Sequence, residues 1–302
     1  MQPTELVYSS HDRCEHIHKD WIVQRALASW DNKTILYLPV SSGARGDQEY
    51  SWGTFSGYLD RFRQFGLEPR TFLWADDLRR EDAQRFFDWL RDSEVVILGG
   101  GRTSTGLERY RAMGGLFGNP QAFVETLQQR QAQGKLTVGF SAGAAQLCEY
   151  TCDDGGPAFG LLAKIIVTLH HEDAARGHLQ WLASTHSDCL VFGLPNDAGV
   201  AVTRGYTGQG NYWQLIQLIV DKSWDRAEDA WHIKTRQGMP IEHRYADGRD
   251  WRFYGGEVVL RVFYQGGGWE AWIKRPDVPV FHEYGSQREC RYRSVEEILG
   301  ER

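Results

Sequence analysis

Four runs of strand length, three of them apolar and separated by segments with helical spacing, constrain this chain more than any other feature. The runs are Thr34–Val40, residues 69–74, Val95–Leu98 and Leu136–Phe140. Three of them are continuous rather than alternating, as strands buried on both faces of a parallel sheet are. Between them Trp52, Phe55, Leu59 and Phe62 recur at helical spacing up to Gly66, and Ala83, Phe86, Phe87 and Leu90 share one side of a helix over 79–91. Asn119-Pro120 reads as an N-cap with proline in the first helical position. The helix it starts carries Phe123, Val124 and Leu127 and stops before Gly134. This alternation predicts an α/β fold, a doubly wound, mostly parallel sheet with helices on both faces. Ligands of such sheets sit at the carboxyl ends of the strands, where Gly99-Gly100-Gly101 and Ser141 fall.

Residues 1–30 are polar and weakly patterned and are expected to form an N-terminal extension. Strand-like 164–169, a helix near 173–183 and strands near 189–193 and 199–203 continue the α/β domain, placed at 31–220. Further on, Val258, Leu260 and Val262, then Trp269, Ala271 and Ile273, alternate between glycines and aromatics. That pattern predicts antiparallel hairpins, so 221–302 is expected to be a small β-rich appendage. It could cover the site or form a homodimer interface. Its tryptophans suit packing of a small β unit better than stacking on sugars or bases.

With 41 % hydrophobic and 25 % charged residues over 302 positions, a full core needs no staples. A net charge of −6, spread along the chain, offers no field for nucleic acid or an anionic membrane. No stretch approaches the ~20 apolar residues of a membrane span, and the N-terminus lacks an apolar signal region. Cys14, Cys148, Cys152, Cys189 and Cys290 are odd in number and widely spaced, which fits free thiols in a reducing cytoplasm. Cys14, His16 and His18 could ligate a metal but lack an evident fourth ligand, so no metal is expected. Gly99-Gly100-Gly101 does not complete a dinucleotide-binding GxGxxG, and no cofactor is expected.

Gly139-Phe140-Ser141-Ala142-Gly143, between an apolar strand and Ala144-Ala145-Gln146-Leu147, has the form of a nucleophile elbow. Small neighbours allow the tight turn that lifts the serine hydroxyl above the sheet, and the following helix start favours developing negative charge. Ser141 is therefore the candidate nucleophile. It needs a base, and His170 and His171 follow the strand at 164–169. Gly100 and Gly101, with the amide of Ala142, are candidate oxyanion donors, because glycine lets the backbone approach a carbonyl closely. Arg102 at that rim would bind a substrate carboxylate or face solvent. Asp153 and Asp154 lie between elbow and histidines and could orient the imidazole, or simply turn the chain ahead of Gly155-Gly156.

Gly139-Phe140-Ser141-Ala142-Gly143-Ala144, preceded by Ile97-Leu98-Gly99-Gly100-Gly101 and followed by Phe159-Gly160-Leu161-Leu162, resembles the peptidase E / cyanophycinase family of serine peptidases over about 34–203. The resemblance implies a fold like the class I glutamine amidotransferase sheet and cleavage of acidic or β-aspartyl dipeptides. It favours His170 as base, with His171 where relatives carry an aromatic, and an acid among Asp153 and Asp154. A second acid position of the family reads Gly193-Leu194-Pro195-Asn196-Asp197 here: Asn196 stands where relatives usually have glutamate, with Asp197 one step on. Relatives also continue Gly-Gly-Asn where this chain has Arg102. The expected activity is hydrolysis of a short peptide or isopeptide bond through an acyl-enzyme, with a small peptide as substrate. Two alternatives stand beside it. One is an α/β-hydrolase esterase using His282 as a late base and Asp197 as acid; the other is a binding relative that kept the elbow but lost the triad.

Overall fold

The computed structural model describes residues 2–11, 14–221, 239–286 and 288–302. Its strands are β1 (Glu5–Tyr8), β2 (Thr34–Leu38), β3 (Glu68–Thr71), β4 (Val95–Leu98), β5 (Leu136–Phe140), β6 (Ile165–Thr168), β7 (Leu190–Gly193), β8 (Ala198–Tyr206), β9 (Tyr212–Val220), β10 (Ile241–Arg244), β11 (Asp250–Phe253), β12 (Val258–Phe263), β13 (Trp269–Lys274) and β14 (His282–Glu283). Ten of them form one sheet in the order β14-β13-β12-β9-β8-β1-β5-β4-β2-β3. From β1 through β3 the pairings are parallel; from β1 towards β14 they are antiparallel. A second sheet runs β11-β10-β7-β6, with only β6 and β7 parallel.

The three continuous apolar runs become buried strands because successive side chains are needed on both faces. Leu36, Leu38, Val96 and Leu98 pack with Phe86, Leu90, Tyr110 and Phe123 from helices Arg80–Asp92, Thr103–Gly115 and Ala122–Ala132. Their neighbours Ile35, Tyr37, Val95 and Ile97 face the opposite way, against Phe55 and Leu59 of helix Arg45–Leu59 and Ile17, Ile22 and Val23. Each such side chain, removed from water, contributes about 1.5–3 kcal/mol. The expected α/β class is observed: a parallel half with helices on both faces, extended by antiparallel strands.

Residues 1–30 are not an appended segment in this architecture. β1 lies between β5 and β8, in the interior of the ten-stranded sheet. It reads poorly in sequence because it is four residues long and carries Glu5, which is fully buried. Burial raises the pKa of Glu5, and its carboxylate is met by Arg204, by Gln131 Nε2 at 2.6 Å and by Thr4 Oγ1 at 2.9 Å. A buried carboxylate is tolerated only with such partners. The boundary expected near 220 does not interrupt strand pairing. β9 runs to Val220 and pairs with β12 from Tyr212 to Gln217, so the predicted hairpins extend the main sheet. β10 and β11 instead join β7. Residues 222–238, at the start of the expected appendage, lie outside the described residues.

Candidate active site

The carboxyl ends of β4 and β5 are neighbours, with Leu98 opposite Gly139, so the triglycine and the elbow meet above the sheet. Ser141 adopts φ 50°, ψ −125°, a conformation costly for a residue with a side chain and characteristic of functional turns. Its amide donates to Tyr8 O at 3.2 Å, and its carbonyl accepts from Ala144 and Ala145, so helix Ala142–Leu147 starts at once. Gly143 has no room for a side chain: a Cβ there would lie 2.1 Å from Leu98 O. That approach presses the turn onto β4.

A Cβ built on Gly100 would stand 3.6 Å from Ser141 Oγ, which puts this backbone beside the candidate nucleophile. Gly101 takes φ 135°, and a Cβ on it would fall 2.1 Å from Ser41 O. Among the described residues, none accepts a hydrogen bond from the amides of Gly101 or Ala142. Both donors are thus available to an oxyanion. The wall behind them is fixed: Arg102 N donates to Ser41 O at 2.9 Å, and buried Gln146 donates through Nε2 to Ser41 Oγ at 2.9 Å and to Thr103 O at 3.0 Å.

His170 and Ser141 line the same cleft, of about 610 Å³, together with Gly101, Arg102, Ala142, Cys152, Asp153 and His178. His170 Nδ1 lies 2.5 Å from Asn196 Oδ1, and its amide donates to Ser9 Oγ at 2.6 Å. His171 faces away. It is buried, with Nε2 3.2 Å from Glu242 Oε2 and Nδ1 3.4 Å from Thr168 Oγ1. Burial lowers its pKa, against the opposing pull of Glu242.

The orienting position is occupied differently from the sequence expectation. Asp154 closes its own turn: it accepts from Thr151 Oγ1 at 2.5 Å and Gly156 N at 2.9 Å, which hold its carboxyl below the usual range. This is the local bonding that short acids make in turns. Asp153 lines the cleft, with Cys152 Sγ 3.9 Å from its Oδ1, but the group on His170 Nδ1 is Asn196. Asp197 is not among the cleft residues; its carbonyl accepts from Asp221 N at 2.6 Å. Asn196 was visible only as a departure from the family pattern, yet an amide oxygen accepts from an imidazole N–H as a carboxylate does. Ser9 had no local signal, since its contact spans 161 residues.

His282 sits on β14, six strands from β5 in the sheet, about 28 Å at ordinary strand spacing, so it does not serve Ser141. His16 and His18 have separate partners, Asp20 Oδ2 at 3.2 Å and Tyr8 Oη at 3.0 Å, while Cys14 Sγ lies 3.7 Å from Asn196 O. Among the described residues no group of three or more His, Cys, Asp and Glu side chains could hold a metal ion. Nor is any described helix long and apolar enough to cross a membrane.

The sequence matches peptidase family S51 across residues 6–208. None of the curated proteins matches it. Among solved structures, it is similar to a peptidase from an acI-B1 Actinobacterium, with TM-score 0.51 and 16 % identity, over 83 % of this chain and 99 % of that one. A putative peptidase E protein from Listeria monocytogenes EGD-e gives TM-score 0.46 and 15 % identity, over 67 % and 94 %. Matched by the family over two thirds of its length, this chain belongs to peptidase family S51.

Proposed function

We propose that this peptidase is a serine hydrolase that cleaves a short peptide or isopeptide bond, Asp-containing dipeptides included, through an acyl-enzyme on Ser141. One observation carries the assignment: Ser141 on its strained turn and His170, tethered through Nδ1 to Asn196, line one cleft beside two amides with no acceptor among the described residues. With Nδ1–H donating to Asn196 Oδ1, His170 Nε2 carries the lone pair that a general base needs. Ser141 Oγ bonds to the scissile carbonyl carbon as Nε2 takes its proton, and the resulting oxyanion is received by the amides of Gly101 and Ala142. The C–N bond then breaks, and His170 passes its proton to the leaving amine. Water attacks the ester by the reverse proton route and frees Ser141. Asn196 orients the imidazole without a charge to offset the imidazolium, unlike the aspartate of the familiar triad. Arg102, exposed at the rim, is the group we assign to a substrate carboxylate.

The test is direct. A fluorophosphonate probe should label Ser141 in the folded chain, and Ser141→Ala should abolish dipeptide turnover with unchanged circular dichroism. Retained turnover in that variant would refute the nucleophile. A folded wild-type chain that neither labels nor hydrolyses would instead support the second reading, a binding relative, which the uncharged Asn196 favours.

A further inference from the structure

The ladder between β6 and β7 skips a residue at the base. Thr168 stands opposite Gly193, and the amide of Leu194 donates to Thr168 O at 2.9 Å. In regular parallel pairing the next return bond to Leu194 O would come from two residues beyond Thr168, from His170. It comes from His171 instead, at 2.9 Å. One extra residue is inserted, which is a bulge, and bulges commonly re-aim a side chain beside an active site. His170, at φ 51°, is the residue thrown out of register. Its amide has lost its ladder acceptor and must find another. It finds Ser9 Oγ at 2.6 Å.

Ser9 is a fixed point. It is fully buried, and its own amide donates to Ala198 O at 3.0 Å, continuing the β1–β8 ladder. One residue earlier, Tyr8 O accepts the amide of Ser141. Two consecutive residues at the end of β1 therefore hold the backbones of both nucleophile and base.

We infer that Ser9 is a positioning residue for His170, its hydroxyl oxygen taking the bulged amide and so setting where the imidazole stands relative to Ser141. The inference rests on the roles proposed above for Ser141 and His170. Asn196 tethers the ring and Ser9 tethers the backbone behind it; without Ser9 the ring keeps one tether. Misplacing a catalytic group by about 1 Å can cost roughly a hundredfold in rate.

The full chain is compared with its Ser9→Ala, Ser9→Cys and Ser9→Thr variants. Cysteine keeps the side-chain volume with a weakly accepting sulfur, and threonine keeps the oxygen. The measurements are the rate of Ser141 labelling by a fluorophosphonate, kcat and KM on an Asp-containing dipeptide, and hydrogen exchange at the His170 amide. Ser9→Ala and Ser9→Cys should slow labelling and lower kcat by about ten- to a hundredfold, with KM nearly unchanged and faster exchange at His170. Ser9→Thr should restore all three. A folded Ser9→Ala that labels at the wild-type rate overturns the inference, as does a loss confined to KM. Misfolding of both the alanine and cysteine variants beside a normal threonine variant makes Ser9 a residue of the fold only, and also overturns it. A wild-type chain that never labels, while Ser9→Ala still speeds exchange at His170, refutes the hydrolase function itself. The hydrogen bond would then stand and the positioning role would fall.

Discussion

Replacing Glu242 by alanine probes how the wall of the cleft is held. Glu242 on β10 is 3 % exposed. Its carboxylate receives Arg176 Nε at 2.8 and 3.1 Å, Arg176 Nη2 at 2.5 Å and His171 Nε2 at 3.2 Å. Arg252 Nε lies 3.8 Å away and Arg244 Nη2 4.0 Å. Burial pushes the Glu242 carboxyl up, but the hydrogen bonds from Arg176 and His171 outweigh it and hold the group below its ordinary value. These two partners bracket the segment that follows His170, and Ala175 within it lines the cleft. Deleting the carboxylate strands His171 in the interior and leaves three guanidinium groups without their shared anion. Breaking a buried pair in this way costs about 3–5 kcal/mol. Arg176 is about a third exposed, so solvent screens its share, and about 3 kcal/mol is the working figure. At roughly 2–4 °C per kcal/mol, Tm should fall by about 6–12 °C. Glu242→Gln keeps an acceptor for Arg176 and should lose roughly half as much. Thermal melts at pH 7 by circular dichroism measure both. A Glu242→Ala chain melting within about 2 °C of wild type would refute the reasoning, because desolvation would then have cancelled the pairing.

Two further outcomes are expected. Asn196→Ala should lower kcat about a hundredfold with KM little changed, since the imidazole loses its orienting acceptor; steady-state kinetics on a dipeptide decides it, and an unchanged kcat would remove Asn196 from the site. Acid should weaken the fold through its buried histidines. Burial holds His18 down at about 3 and His243 at about 4, and lowers His171. The unfolded chain takes up these protons below about pH 6.5, so their contribution is complete above that value and shrinks as pH falls towards the folded values. Between pH 7 and 5, His18 and His243 together should cost about 4 kcal/mol. Urea unfolding at the two pH values measures it, and equal midpoints would contradict it.

What the sequence disclosed follows from where the physics is local. β2, β4 and β5 announce themselves because strands buried on both faces must be apolar throughout, and the elbow because its glycines answer a steric demand a few residues wide. β1 was hidden: four residues with a glutamate look like an extension until Arg204 and Gln131 arrive from distant elements. Helix Thr103–Gly115 escaped for a related reason, since its glycines and polar residues blur the apolar face formed by Leu107, Tyr110 and Met113. The proposed base was legible as one of a pair of histidines after a strand, and the bulge decides which of them faces the cleft. Asn196 showed only as a departure at the family's second acid position, and Ser9 was out of reach. Each meets His170 through a single oxygen, a contact fixed by tertiary geometry.

The seat of β10 beside β7 also bears on the order in which the molecule comes into being. Ser141 leaves the ribosome about a hundred residues ahead of Glu242, on the order of 5–20 s at usual rates of synthesis. Without β10, β6 and β7 would be a two-stranded unit with one edge of β7 unpaired, and so small a sheet has little stability of its own. The strands that complete it come from beyond residue 208, where the family match ends. A hydrolytic cleft finished early would sit among nascent chains. Here the segment between His171 and Arg176, which contributes Ala175 to the cleft, gains its Glu242 anchor only when most of the polypeptide has been made.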